Sequence, residues 1–350
     1  MSNVEAVIIS GGFGTRLLPL TERRPKHLLT VGGVPFLEHQ LAKLAAAGVE
    51  HVVLATSYRA DLFKPVLGDG ERFGLRISYV QEEEPLGTAG AIRNVTSALA
   101  EDPEGAVVIL NGDVLSGHDL RAQLADFETP REGRQVDVSL HLVEVADARA
   151  FGSVPTDESG RVTAFLEKSE TPVTNQINAG CYVFRRRTID LIPPGQVVSV
   201  ERETFPALVE DDAVVVGYVE NAYWRDVGTP AALVAASKDL VLGDAPSPAV
   251  TASGAGAHVA EGATVRGVVD GGSVVDPGAT VEEGATVTGS VVMAGAVVRS
   301  GAVVLDSVIG PNATVGAGAK LDRVTVGDEA VVTDGATPDP DSRVDCGASA

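Results

Sequence analysis

Gly11, Gly12 and Gly14 place three glycines within four positions, directly before Thr15-Arg16-Leu17. Glycine lets a backbone come close to a ligand and turn its N–H groups towards it, and such a nest of donors suits phosphate oxygens. Arg16 follows at once, and Lys26 comes shortly after, behind Pro25. Cations beside clustered N–H donors make a site for a polyanion. Two better-known phosphate loops do not fit. No Gly-Lys-Ser/Thr closes the stretch, and Leu17 stands where a dinucleotide fingerprint needs its third glycine. A second candidate is Asn111-Gly112-Asp113, at the end of the apolar run 106–110. Strand ends are where open α/β sheets bind ligands, although the tripeptide taken alone also reads as a plain turn.

These residues need strands and helices to hold them. Val4 to Ser10 reads as a buried strand leading into the glycines. Leu37, Leu41 and Leu44 share one helical face, and Gly48 ends that helix. Further strands are expected at His51–Ala55, Ile77–Gln81, Ala106–Leu110, Val136–Val143, Ile177–Phe184 and Val214–Val219. Helices are expected at Val200–Val209 and Thr229–Leu240, and a hairpin at Phe151–Lys168 turning at Thr156–Gly160. The alternation predicts an α/β, Rossmann-like domain with a mainly parallel sheet over residues 1–242.

Pro246 and Pro248 mark a linker, 243–254. Beyond it Val275, Val281 and Val287 recur every six residues, as do Ile309, Val315 and Leu321, with a phase slip near Met293 to Val304. Phased valines among Gly and Ala are the mark of hexapeptide repeats stacking as a left-handed parallel β-helix, here over 255–335. At roughly 18 residues per coil, about four coils are expected. The tail 336–350, with Pro338 and Pro340, reads as disordered.

A net charge of −21 argues against a nucleic-acid partner, since such proteins carry a basic face. No apolar run approaches the ~20 residues of a membrane span, and no leader precedes the first strand, so a cytoplasmic protein is expected. Cys181 and Cys346 make no disulfide framework.

The run GGFGTRLLPLTERRPKHL resembles the signature of the sugar-1-phosphate nucleotidyltransferases, or NDP-sugar pyrophosphorylases, with His27 in place of the usual Pro or Ala. The resemblance implies nucleotide binding by Gly11, Gly12, Gly14 and Thr15, and catalytic roles for Arg16 and Lys26. It implies a Mg²⁺ cofactor held by Asp113 and by Asp226 of Tyr223-Trp224-Arg225-Asp226-Val227-Gly228. It places Asn111, Gly152, Glu167, Lys168, Asn178 and Gly180 at the sugar phosphate, and Gly87 and Thr88 of EEEPLGTAGAI at the nucleotide. That segment, INAGCYVF and SVERETFP look most like mannose-1-phosphate guanylyltransferases. Val200-Glu201-Arg202-Glu203 matches a segment that varies with the sugar, and no role is assigned to it.

Relatives read the base with a polar residue five positions before the glycine matching Gly87, which here is Glu82. A carboxylate only accepts, which suits the paired donors of guanine, so GTP is the expected triphosphate. Gln81 is the competing candidate, and a solvated acidic turn over Glu82–Glu84 is the plain alternative. The implied reaction joins a sugar 1-phosphate to a nucleoside triphosphate and releases pyrophosphate. Mannose 1-phosphate is the expected acceptor, with another hexose or a carbocyclic mimic as alternative. The nucleophile needs no base, because a phosphomonoester's second pKa is about 6. An acyltransferase activity in the β-helix would need a histidine base there, and only His258 is available. A regulatory chain would be expected to lose the arginine, lysine or aspartates, all present here. The β-helix is expected to organise a homo-oligomer or to clamp the catalytic domain.

Overall fold

In a computed structural model the described residues are 4–57, 59–253 and 256–350. Ser2 and Asn3, and the expected boundary between linker and β-helix at 254/255, lie outside them. Two compact units form, and they are not contiguous in sequence. One holds residues 1–12 and 40–224, the other 13–39 and 225–350.

The first unit is built on a seven-stranded sheet. Its strands are β1 (Glu5–Ser10), β2 (His51–Thr56), β3 (Arg76–Gln81), β4 (Ala106–Asn111), β5 (Val138–Glu144), β6 (Gln176–Arg185) and β7 (Val215–Val219). Their order across the sheet is β7-β5-β6-β4-β1-β2-β3. β4, β1, β2 and β3 run parallel, and β6 lies antiparallel to both neighbours. Every residue of β2 is buried, as expected for a strand covered on both faces. Polar residues at that depth are paired: His51 Nδ1 lies 2.6 Å from Glu5 Oε1. Val7, Val53, Ile109, Tyr182, Phe184 and Phe205 meet in one core.

Helix α1 (Phe36–Ala47) buries Leu37, Leu41 and Leu44 as its spacing predicts. The segment expected as one helix over 200–209 is a π turn, Val200–Thr204, followed by a short α-helix, Phe205–Glu210. Pro206 has no N–H to give to an α-helical ladder running through this point. The expected hairpin over 151–168 forms as isolated antiparallel bridges, Ser153 to Leu166 and Thr156 to Val162. Its turn is held by Asp157, whose Oδ1 accepts from Ser159 N–H at 2.8 Å and Arg161 N–H at 3.0 Å.

In the second unit, helix α2 (Pro230–Leu242) is capped by Thr229, whose hydroxyl accepts from Ala232 N–H at 3.2 Å. After it come three parallel sheets of six, five and four short strands, consistent with a left-handed β-helix. The stack is taller than the four coils expected. From Ser273 to Val324 successive coils repeat every 17 residues, as a ladder of buried serines shows. Ser290 N–H donates to Ser273 Oγ, Ser307 N–H to Ser290 Oγ, and Val324 N–H to Ser307 Oγ, at 3.1, 3.0 and 2.9 Å. One residue fewer than three hexapeptides accounts for the slip of phase read near Met293. Val281, Val298, Val315 and Val332 pair in register and fill the core, with buried alanines at the bends.

The expectation of a disordered tail is corrected. Arg343–Val344 pair with Thr325–Val326, and Val331 N–H donates to Ala348 O at 2.8 Å. The prolines and polar residues of 336–342 form a longer bend, after which the ladder resumes.

One residue of the stack has a cost that depends on pH. Asp276 is 3% exposed, and burial pushes its carboxyl up to about 6 despite a hydrogen bond from the Thr30 hydroxyl. An acid whose pKa is raised by folding is neutral in both states at the lowest pH. It then destabilises the fold progressively as pH rises from about 4 through 6. Asp276→Asn is therefore expected to be more stable than the native chain at pH 8. The gain should reach ~3 kcal/mol, because each pH unit separating the unfolded and folded titrations contributes about 1.4 kcal/mol. The difference should vanish near pH 4. Equal melting-temperature differences at the two pH values would refute the assignment.

Candidate active site

β1 delivers the backbone to Gly11, and the neighbouring strands decide what faces it. A Cβ built on Gly11 would stand 3.7 Å from Glu82 Oε2 and 3.6 Å from Ser57 Oγ. Glu82 follows β3 and is 8% exposed, with its N–H donating to Thr56 O at 2.8 Å. Gln81 points out to solvent. The residue beside the glycines is thus Glu82, and the acidic turn is not wholly solvated: Glu83 and Glu84 are exposed, and Glu82 is not. Burial raises the Glu82 pKa, and a backbone hydrogen bond from Leu86 opposes the shift. Glu82 Oε1 has no hydrogen-bond partner among the described residues.

Gly87 opens a short helix, Gly87–Asn94, and Thr88 on it meets the π turn. Thr88 Oγ1 donates to Glu201 Oε2 at 3.0 Å and accepts from Val200 N–H at 2.8 Å. Ser199 Oγ donates to the same Glu201 oxygen at 3.0 Å. Tyr182 OH reaches Glu201 Oε1 at 3.5 Å while accepting from Asn178 Nδ2 at 2.8 Å. Asn178, Tyr182, Glu201 and Thr88 therefore form one polar chain, and burial holds the Tyr182 phenol well above its usual range. Glu201 received no role from the sequence. The signal that could have found it is an acid two residues after a capping serine, facing Thr88.

Gly152, Phe165, Glu167, Asn178, Glu201 and Arg202 line a cavity of about 340 Å³. Its size is that of a small-ligand site. Glu167 is exposed at the rim and pairs with Arg202 at 3.2 Å. Lys168 beside it is exposed and does not line the cavity. Gly180 adopts φ 73°, and a Cβ there would stand 3.0 Å from Asn111 Nδ2, so glycine is needed on both counts.

Asn111, Gly112 and Asp113 form the turn from β4 into a short strand, Val114–Ser116. A second residue missed in the sequence holds this turn. Gln40 on α1 is 4% exposed, and its Nε2 donates to Asn111 O at 2.7 Å and Val114 O at 3.0 Å. One turn on, Lys43 Nζ donates to Ser116 O at 2.8 Å, and burial brings that amine down to about 8. A polar residue among Leu37, Leu41 and Leu44 was the available clue. Asp113 is half-buried between the two carbonyls Gln40 binds.

In the second unit Gly14 precedes a single helical turn, Thr15–Leu17, and its carbonyl accepts from Leu17 N–H and Thr21 Oγ1, both at 2.9 Å. A Cβ on Gly14 would press on Lys26 Cβ at 3.1 Å, so the loop closes back on the lysine. Arg16 Nη2 lies 3.5 Å from Asp226 Oδ2, and Gly228 has no room for a Cβ beside that guanidinium. Thr15 and Gly12 are exposed, and His27 is buried in the packing.

Asp113 belongs to the first unit and Asp226 to the second. Among the described residues no group of three or more His, Cys, Asp or Glu is arranged to hold a metal. Mg²⁺ on a nucleotide takes one or two carboxylates, the phosphates supplying further oxygens. Each aspartate is a hard oxygen donor of the kind Mg²⁺ takes, so each fits that ion.

A glycine loop at the end of β1 and a carboxylate turn at the end of the neighbouring β4 are the arrangement expected of a nucleotidyl transferase. The chain belongs to that family, matching Nucleotidyl transferase over residues 5–241 and the GMPPB C-terminal domain over 251–337. It is 55% identical over 263 residues to the mannose-1-phosphate guanylyltransferase of Mycobacterium tuberculosis, covering 75% of this chain and 71% of that one. It is 38% identical to the mannose-1-phosphate guanyltransferase of Kluyveromyces lactis, covering 65% of this chain. That alignment spans 62% of the yeast chain, less than two thirds of its length. Among solved structures, HddC from Yersinia pseudotuberculosis superposes with a TM-score of 0.57 at 28% identity, covering 66% of this chain and 97% of that one. A putative glucose-1-phosphate thymidylyltransferase from Bacillus anthracis, at 22% identity and a TM-score of 0.59, covers 67% of this chain and 93% of that one and shares the fold.

Proposed function

We propose that this chain transfers the guanylyl group of GTP to mannose 1-phosphate, giving GDP-mannose and pyrophosphate. The observation that carries the base assignment is the Glu82 carboxylate, buried against Gly11 with one oxygen unpartnered among the described residues. Guanine N1–H and N2–H₂ are two adjacent donors that such a carboxylate can accept. Adenine turns an acceptor towards the same oxygens and would be repelled. The 55% identity to a mannose-1-phosphate guanylyltransferase supports the sugar, and HddC is also known complexed with GMP-PN.

The Gly11, Gly12 and Gly14 backbone and Thr15 would cradle the triphosphate, with Gly87 and Thr88 flanking the nucleotide. The cavity at Gly152, Glu167, Asn178 and Glu201 would take the hexose, with Lys168, Asn111 and Gly180 at its phosphate side. A phosphate oxygen of the sugar phosphate attacks the α-phosphorus, forming one P–O bond as the bond to pyrophosphate breaks. No proton needs to move, since the nucleophile is already ionised. What remains for the protein is positioning and charge stabilisation. Arg16 and Lys26 face the growing negative charge. Asp113 and Asp226 would hold Mg²⁺, which when bound neutralises phosphate charge. A need for GTP and mannose 1-phosphate supports a cytoplasmic location. Among the described residues no helix is long and apolar enough to cross a membrane.

The test is kcat/KM for GTP, ATP, UTP and dTTP. GTP should lead, and Glu82→Gln should lower its kcat/KM by ~10- to 100-fold, the worth of a buried charged hydrogen bond. ATP outrunning GTP in the native chain would sink the base assignment. An unchanged preference in the variant would clear Glu82 of the role.

A further inference from the structure

The Arg16 loop is held in two ways. Residues 15–24, which carry the guanidinium on which the proposed chemistry depends, bond among themselves, Leu18 N–H to Thr15 O, Leu20 N–H to Leu17 O and Glu22 N–H to Pro19 O. A second set of supports comes from the far end of the sequence, within the same compact unit. Arg343, on the last strand of the β-helix, donates Nη2–H to Arg16 O at 2.9 Å and Nη1–H to Leu18 O at 2.7 Å. One rigid fork thus spans two carbonyls that flank Leu17. Below it Asp328 takes both terminal nitrogens of Arg24, with Nη1 to Oδ1 at 3.0 Å. Asp328 is 3% exposed, so this is a desolvated, two-point charged pair of the stronger kind. Cys346 Sγ–H points to Pro19 O at 3.5 Å, and Gly327 leaves the space into which Pro19 packs. Arg23 adds an exposed pair with Glu329 at 2.9 Å.

We propose that the final coil of the β-helix is a positioning device for the catalytic loop, with Arg343 and Asp328 as positioning residues for nucleotidyl transfer. Neither touches substrate. Arg343 fixes the Arg16–Leu17 and Leu18–Pro19 peptide planes, and through the first of them the direction in which the Arg16 side chain leaves the backbone. Asp328 anchors the loop's other end through Arg24. The inference rests on the reading of Arg16 as the group that stabilises the leaving pyrophosphate. It gives the β-helix a part in turnover, beyond stability or assembly.

The experiment uses the full chain with GTP, mannose 1-phosphate and Mg²⁺, following pyrophosphate release in Arg343→Ala, Arg343→Lys, Asp328→Asn, Arg16→Ala and Arg299→Ala. Arg299 lies on the same β-helix, 50% exposed and 3.9 Å from Asp334, and serves as control. A loop displaced by a fraction of an ångström should cost ~10-fold in kcat or more. Arg343→Ala is expected to show that loss with KM for both substrates and melting temperature little changed. Millimolar guanidinium should restore part of it. Arg343→Lys should fall between, because an ammonium lacks the fork that reaches both carbonyls. Asp328→Asn should lower kcat in the same sense, and Arg299→Ala should behave as the native chain. Should Asp328→Asn fail to fold, the exposed Arg343 decides alone. Native kcat in Arg343→Ala, alongside a kcat lost in Arg16→Ala, would overturn the inference and leave the reaction standing. Native kcat in Arg16→Ala would remove the catalytic reading of Arg16 and the inference with it.

Discussion

Asp113→Ala is expected to reduce pyrophosphate release by ~10³-fold or more, because a metal anchor on a triphosphate contributes several kcal/mol to the transition state and each 1.4 kcal/mol is about tenfold. The fold should tolerate the change. Asp113 is half-buried at a turn, and the turn's backbone is tied independently by Gln40 through the Asn111 and Val114 carbonyls. The loss should therefore appear with an unchanged melting temperature and with a higher Mg²⁺ concentration for half-maximal rate. Asp113→Asn, which keeps shape and removes charge, should be nearly as poor. Near-native turnover of Asp113→Ala in Mg²⁺ would take Asp113 out of the site.

Arg16→Ala is the second large effect, ~10²- to 10³-fold in kcat, as found when a donor aimed at developing charge is removed. Arg16 is 61% exposed in its side chain, and its contact with Asp226 is a loose 3.5 Å. Exposed pairs of this kind contribute little to stability, so the melting temperature should hardly move. Arg16→Lys should recover little, since one ammonium cannot replace a planar fork across two phosphate oxygens. If the change fell on KM with kcat intact, Arg16 would bind substrate and transition state alike, and its catalytic role would fail.

The parts of this protein that were legible in its sequence are those where one residue type has one physical use. Buried parallel strands such as His51–Thr56 announce themselves by β-branched runs, and Leu37, Leu41 and Leu44 announce a helix face. The glycine loop is readable because glycine, arginine and lysine in that order serve little else. Legibility fell where a residue's use depends on what the fold brings opposite it. Glu82 and Gln81 are adjacent polar residues at a strand end, and the packing of Gly11 and Ser57 against one of them makes the distinction. Glu201 lies in a segment to which the sequence assigns no role, and only the fold brings Thr88, Ser199 and Tyr182 together on it. Gln40 makes bonds to carbonyls some seventy residues away, which no local pattern encodes. The tail misled for a related reason. Prolines and charges predict a chain that cannot build a core of its own, and Arg343–Val344 does not need one, because the preceding coil offers a ready edge.

The serine ladder fixes the unit in which this stack can change length. From Ser273 to Val324 each coil meets its predecessor through a serine 17 positions earlier, so these levels copy one another in register and core. Gaining or losing a whole 17-residue block there keeps the core valines facing inward and each ladder serine beneath its successor's N–H. A change of any other size must be taken up in a bend, as the longer turn over 336–342 does before Arg343 pairs with Thr325. Selection on such a stack is therefore close to quantised: its exposed corners can drift in sequence, while its height moves most easily by whole steps.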